Sequence, residues 1–354
     1  MLKKAAGLFL VCASMAICVG CGTTSSRYLF AAIPASNEIA VYREDPNSGI
    51  LTELAGSPIT AGSAVQSLVV HPSGKFLFAA NTGENDVSLF TIATTGALSE
   101  VTPRTTVGTA PTLLAMDTAG SFLYVGNSGS QNISVFAINS SNNPPSLTQV
   151  SGSPFQIGLS PINMAVSPSG GFLYVTGTGS PGFIEIFSLT QGVLGPVSNS
   201  FTGGGPYGLE IAPNGNFLYV ANRLDNSISE FTINADGTLT EFSGSPIGEQ
   251  YSSPVAILID KSGKYMYVVN QGSNNLAGFS VGSNGALTLL TTSPFGTGAQ
   301  PEAIAMDSGG KYLFVGNQTS PHIQSFSLDG SSGTLTSVET YSVPGTPTSI
   351  AVTP

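Results

Sequence analysis

An all-β ring of seven four-stranded blades is the architecture this sequence predicts, and three observations carry the prediction. A short aromatic phrase recurs seven times, as Tyr28-Leu29-Phe30, Phe76-Leu77-Phe78, Phe122-Leu123-Tyr124, Phe172-Leu173-Tyr174, Phe217-Leu218-Tyr219, Tyr265-Met266-Tyr267 and Tyr312-Leu313-Phe314. Its central residues fall 45 to 50 apart, room for four short strands and their turns, which is the size of one propeller blade. The chain holds 43 Gly and 23 Pro while only 8% of its residues are charged, the profile of many short strands joined by polar, glycine-rich turns.

Stacking the repeats aligns the strands of each blade. The first follows a proline, as in Pro111–Met116, Pro161–Val166, Pro206–Ile211, Pro254–Ile259 and Pro301–Met306, a residue tolerated where a strand begins. Turns such as Pro72-Ser73-Gly74-Lys75 and Pro213-Asn214-Gly215-Asn216 lead into the second strand and its aromatic phrase; Ser-Gly and Asn-Gly suit turns that need positive φ. The third strand is Val87–Phe90, Ile133–Phe136, Ile228–Phe231 or Ile323–Phe326, and the fourth is announced by Gly and Leu at Gly237–Thr240 and Gly285–Thr288. The first two strands are apolar on both faces and the third alternates, which places the former between neighbouring blades and the latter half in water. Blade 1 opens at Tyr28 with a second strand, and the missing first strand stands at the other end as Pro347–Val352. The two termini are therefore expected to complete one blade and close the ring, removing exposed sheet edges.

Residues 1–20 read as a signal peptide: a basic start at Lys3-Lys4, an apolar run from Ala5 to Ile17, then small residues, too short to span a bilayer comfortably. Cys18-Val19-Gly20-Cys21 resembles the cleavage site of bacterial lipoprotein precursors. The resemblance implies acylation at Cys21, a lipidated tether over 21–27 and a place in the cell envelope on a bacterial membrane, ahead of the propeller that the repeat assigns to 28–354. All three cysteines lie at or before Cys21, so the body has no disulfide and no thiolate chemistry. Net charge is −10, and without Lys3 and Lys4 the chain carries 8 basic against 20 acidic residues. That balance argues against nucleic acid and acidic lipid headgroups as partners, leaving membrane contact to the lipid anchor alone. A monomer is expected, with a small molecule or an envelope protein as partner.

The second strands close on Tyr219-Val220-Ala221-Asn222, with Tyr124–Asn127, Tyr267–Asn270, Phe314–Asn317 and Phe78–Asn81 as variants. With the Ser-Pro-x-Gly turn at Ser167–Gly170, this resembles the YVTN-repeat propellers, which merge into the seven-bladed lactonase family typified by 6-phosphogluconolactonases. The family's lactone-opening members carry Pro-Arg-His at the start of one first strand and an acid just after the Asn of the following second strand. Here Tyr207 and Gly208 stand in the places of that arginine and histidine, and Arg223 in the place of the acid.

In a repeat protein, a residue type shared by most blades serves the blade, and one unique to a blade needs another reason. Asn81, Asn127, Asn222, Asn270 and Asn317 are therefore read as structural, bonding their own loop backbone. His71, in the turn after a first strand, and His322, in a loop before a third strand, are read as turn or surface residues. No Ser-His-Asp arrangement, Gly-x-Ser-x-Gly elbow or metal-ligand spacing is present, and no metal or cofactor is expected. Glu210 is the odd residue of the first strands, where other blades carry Val69, Ala115, Ala165, Leu258, Ala305 and Ala351. A carboxylate on an innermost strand needs a partner or a raised pKa. Two arrangements stay open: a buried structural pair of Glu210 with Arg223, or a ligand site at one channel mouth formed by Glu210, Arg223, Tyr207 and Glu302. The expected function is ligand or partner binding on the ring face. The alternative is lactone hydrolysis, with Glu210 activating water and Arg223 stabilising the oxyanion.

Overall fold

The computed structural model describes residues 26–354 apart from 143, 178–180, 249–251 and 320. The signal peptide and Cys21 lie outside the described residues. Seven antiparallel sheets form the blades of a β-propeller, and no helix occurs among the described residues.

The inner strands are Val65–Val70, Pro111–Met116, Pro161–Val166, Pro206–Ile211, Pro254–Ile259, Ala299–Met306 and Ser349–Val352. The last of these pairs with the first strand of the chain, Arg27–Ile33, through Leu29↔Val352, Phe30↔Ala351, Ala31↔Ile350 and Ala32↔Ser349. That strand starts one residue inside the segment assigned to the tether. Tyr28 N donates to Thr353 Oγ1 at 2.9 Å, and Arg27 Nη1 reaches Asp307 Oδ2 of blade 7 at 2.6 Å. The ring is thus closed by both the ladder and an ion pair.

The aromatic phrase packs both ways. Leu218 packs with Tyr174 and Ile184 of the preceding blade, while Tyr219 packs with Ile257 and Met266 of the following one, all fully or almost fully buried. Each such side chain contributes about 1.5–3 kcal/mol of burial. Tyr219 Oη also donates to the Gly285 carbonyl of the next blade at 2.6 Å, as Tyr174 does to Gly237 and Tyr267 to Gly333. Gly285 has φ +86°, and a Cβ there would lie 2.5 Å from the Phe217 ring, so the turn demands glycine.

The fourth strand is where the sequence reading falls short. In blades 1, 3, 5 and 6 it is split in two, with short second pieces at Ile59–Thr60, Phe155–Gln156, Ile247–Gly248 and Phe295–Gly296. A Ser-Pro step sits at each break, and the serine fills the gap in the ladder: Ser57, Ser153, Ser245 and Ser293 Oγ accept from the backbone N–H of Val41, Val135, Glu230 and Gly278.

Candidate functional site

Six inner strands carry a β-bulge near their start, after Val65, Pro111, Pro161, Pro206, Pro254 and Pro301, which skips one residue of the pairing. The skipped residues are Gln66, Thr112, Ile162, Tyr207, Val255 and Glu302. A bulge re-aims the side chain of its extra residue, and here all six line one cavity of about 380 Å³ at the channel mouth, with Thr348 of the closing blade as the seventh. One position per blade therefore builds the mouth, and its identity varies while the scaffold repeats.

The rim is held by a clamp that passes from blade to blade. Asn37, Asn85, Asn226 and Asn274 adopt positive φ in the turns between second and third strands. Their Oδ1 atoms accept from the N–H of Ala64, Ala110, Ser253 and Gln300 of the next blade, at 2.7–2.8 Å. In blade 5 the same place is taken by Gly205 at φ +64°, where a Cβ would strike Leu224 at 2.5 Å. The Gly205 and Gly204 carbonyls accept from Arg223 N and Leu224 N, at 2.9 and 3.2 Å, and fix the loop that presents Arg223.

Arg223 lies at the mouth. Its guanidinium sits 5.3 Å from the Tyr207 ring centroid, and Nη2 donates to Gln271 Oε1 at 2.8 Å. Glu302 of blade 7 is within electrostatic reach of both: burial raises its pKa and Arg223 lowers it, while burial and then the Glu302 charge raise that of Tyr207. Glu302 Oε2 is buried without a hydrogen-bond partner among the described residues. The geometry thus brings Tyr207, Arg223 and Glu302 together.

Glu210 is deeper. It lines a second cavity of about 270 Å³ that shares Asn163, Ala256, Thr348 and Ser349 with the mouth. Among the described residues it makes no ion pair, so the buried pair with Arg223 is not formed. Pro206 pairs with Asn222 and Glu210 with Tyr219, which leaves Arg223 past the strand end and Glu210 four residues, about 13 Å, further along the channel at roughly 3.3 Å per residue. Burial alone pushes the Glu210 carboxyl up to about 8, so it is mostly protonated at neutral pH.

The repeated asparagines are structural in a different way from that expected. They are fully buried, and their Nδ2 groups reach mainly third-strand side chains: Ser88 and Asp86 from Asn81, Ser134 and Asn132 from Asn127, Ser229 and Ser227 from Asn222. His71 sits at the opposite end of the ring, its Nε2 donating to the Gly120 carbonyl at 3.0 Å and its Nδ1 accepting from Ser73 N at 3.1 Å. His322 begins the third strand of blade 7. Among the described residues no cluster of His, Cys, Asp or Glu is placed to hold a metal ion.

The sequence profile described as Lactonase, 7-bladed beta-propeller, matches residues 59–157, 197–294 and 248–352, together more than half of the chain. The chain belongs to the seven-bladed β-propeller lactonase family. Solved structures similar to this lactonase-family propeller include three bacterial proteins. One is a protein from Lactobacillus plantarum (TM-score 0.79, 20% identity, covering 93% of this chain and 99% of that one). Another, from Bacteroides fragilis, is named provisionally as a 6-phosphogluconolactonase (0.77, 22%, 94% and 99%). A third is described as the periplasmic gluconolactonase of Pseudomonas aeruginosa (0.73, 21%, 93% and 99%). At these identities the likeness is one of fold. No curated protein sequence matches the chain significantly.

Two features of this lactonase-family mouth escaped the sequence reading. The bulge was one; its signal was the residue after each first-strand proline, which varies freely among Thr112, Ile162, Tyr207, Val255 and Glu302 where the neighbouring positions repeat. Gln271 was the other, standing in blade 6 where Arg223 stands in blade 5.

Proposed function

We propose that the channel mouth binds a small hydroxylated lactone and hydrolyses its ester, the lactone-hydrolase alternative of the sequence reading. One observation carries this: two carboxyl groups line adjoining cavities at the mouth, Glu302 within the field of the Arg223 guanidinium and Glu210 without an ion pair among the described residues, the kind of contrast that separates an acid from a base. Burial raises the pKa of both, but at Glu302 the Arg223 charge opposes it and favours the ionised form, whereas burial alone acts on Glu210 and pushes it up to about 8. Glu302 then takes a proton from water as the oxygen attacks the carbonyl carbon, and Arg223 stabilises the oxyanion that forms. Collapse breaks the ring C–O bond, and Glu210 supplies the proton to the departing alkoxide, giving the hydroxy acid. This exchanges the role first assigned to Glu210, because a protonated carboxyl is an acid and not a base. Tyr207 offers a ring face and a hydroxyl beside the same space.

Proton release during turnover of a panel of sugar and aliphatic lactones by the purified protein tests this. Turnover above the buffer rate that falls about a hundredfold in Glu302→Gln supports hydrolysis. A second reading, binding of a small molecule or envelope protein without chemistry, is favoured by Tyr207 and Gly208 standing where lactone-opening relatives carry Arg-His; binding with no turnover would decide for it. We also propose export and acylation at Cys21, supported by Cys18-Val19-Gly20-Cys21. Metabolic labelling with a fatty acid, lost in Cys21→Ser, is the corresponding test.

A further inference from the structure

We infer that the site is selective for uncharged, polyhydroxylated ligands and rejects phosphorylated ones, with Glu302 as the residue that sets the preference. This rests on the proposed reading for the word lactone and on independent charge geometry for the preference itself.

The positive charges of the body are segregated. Lys75, Lys261, Lys264 and Lys311 all fall in turns between inner and second strands, at the ring end opposite the mouth. Arg27 joins them there through its ion pair with the Asp307 turn, and Arg43 faces Tyr28 one residue further along the same strand. Arg104 is engaged by Glu84 and Glu100 on the outer edge of blade 2. Among the basic side chains of the described residues only Arg223 remains to serve the mouth, and it is already stacked on Tyr207 and bonded to Gln271. Phosphate recognition ordinarily uses several cations, forked guanidinium contacts, or a helix N-terminus. Among the described residues there is no helix, and a phosphoryl dianion entering here would meet one guanidinium and the carboxyl of Glu302.

The channel wall offers hydrogen bonds of both senses instead. The ladder bonds Ala212 N to Phe217 O, Asp260 N to Tyr265 O, Asp307 N to Tyr312 O and Thr353 N to Tyr28 O. In an antiparallel pair such bonds recur at every second residue, which turns the N–H and C=O of Leu209, Ile257, Ile304 and Ile350 toward the channel. The equivalent amides of blades 2 and 3 are capped, Leu68 N by Ser349 Oγ at 3.1 Å and Leu114 N by Ser67 Oγ at 3.2 Å. Gly208, Ala256 and Ala303 have no hydroxyl to do the same for Ile257, Ile304 and Ile350, and Asn163, in the corresponding place before Leu209, has its Oδ1 engaged by Met164 N at 2.8 Å, so the wall around Glu210 presents paired donors and acceptors. Thr112, Gln66, Ser128 and Asn163 add neutral polar groups above it. Sugar hydroxyls, each both donor and acceptor, complement such a wall without bringing charge.

The test is calorimetric titration of the purified protein with two non-hydrolysable δ-lactam analogues of a hexonic acid lactone, one neutral and one its phosphomonoester, alongside turnover of the corresponding lactones. The neutral lactam is expected to bind at least about tenfold more tightly. The gap should narrow as salt rises from about 50 to about 500 mM, and in Glu302→Gln; the wild-type gap and its salt dependence decide the matter even if that variant does not fold. Equal or tighter binding of the phosphomonoester overturns the inference, while turnover of either lactone would leave the hydrolytic reading standing. Selective binding of the neutral lactam with no turnover supports the inference and ends the hydrolytic reading. Binding of neither at millimolar concentration overturns both.

Discussion

The guanidinium of Arg223 lies over the ring of Tyr207, 5.3 Å from its centroid, and is steered there by a hydrogen bond to Gln271 of the next blade. Both partners belong to blade 5, one from the bulge of the inner strand and one from the loop after the second. The stack holds a cation at the mouth, and among the described residues no ion pair neutralises it, so its charge stays available to a developing oxyanion.

Arg223→Ala should therefore lower kcat/KM on the best lactone by about a hundredfold. Arg223→Lys should recover little of it, because an ammonium cannot stack or fork as a guanidinium does. Arg223 is exposed, so neither change should move Tm by more than a degree or two. Steady-state kinetics with a parallel melt checks this, and a large fall in Tm would make the residue structural.

Two acids, Glu44 in a buried site and Glu210 in a half-buried one, make stability fall with rising pH. Folded Glu210 keeps its proton to about pH 8 and folded Glu44 to about 7, against 4.5 as the ordinary value for both. Burial is the main cause at each, with the nearby Asp307 charge adding at Glu44. Below about pH 4.5 folded and unfolded chains are equally protonated. Above it the unfolded chain alone loses these protons, so stability drops until the folded groups ionise too. Glu210→Gln mimics the protonated acid and should gain about 2 to 4 kcal/mol relative to wild type between pH 5 and about 8.5. Glu44→Gln should gain less, since the Arg27 guanidinium 3.6 Å away favours its ionised form. Denaturant midpoints at the two pH values measure this; identical pH dependence in wild type and Glu210→Gln contradicts it.

Ending the chain at Gly345 removes the strand Ser349–Val352, and with it the inner edge pairing of Leu29, Phe30, Ala31 and Ala32. These four are fully buried in the intact ring. The loss should reach about 5 kcal/mol or more, seen as a fall in Tm of 10 °C or more, or as failure to accumulate folded protein. An unchanged melting point would mean that the terminal strand does not close the ring.

The fold was legible because each blade repeats the same hydrophobic sentence, and Pro347–Val352 matched the first-strand pattern that the blade opening at Tyr28 lacked. The mouth was half legible. Tyr207, Arg223 and Glu302 broke the repeat and meet in space, but the pairing of Glu210 with Arg223 was inferred from nearness in sequence. Register defeats that inference, since Arg223 lies beyond Asn222, opposite the strand's start, while Glu210 lies opposite Tyr219. The segregation of charge was hidden by its spread along the chain. Lys75, Lys264 and Lys311 are far apart in sequence yet occupy the same position of their blades, so the ring gathers them at one end.

The most direct measurement is the pH profile of kcat/KM for lactone hydrolysis by wild type and by Glu210→Gln. A bell is predicted, rising as Glu302 ionises and falling near pH 8 as Glu210 loses its proton, with the alkaline limb abolished and the rate lowered about ten- to a hundredfold in the variant. An alkaline limb that persists in Glu210→Gln, or no turnover of any lactone at any pH, would contradict the assignment of this mouth as a hydrolytic site.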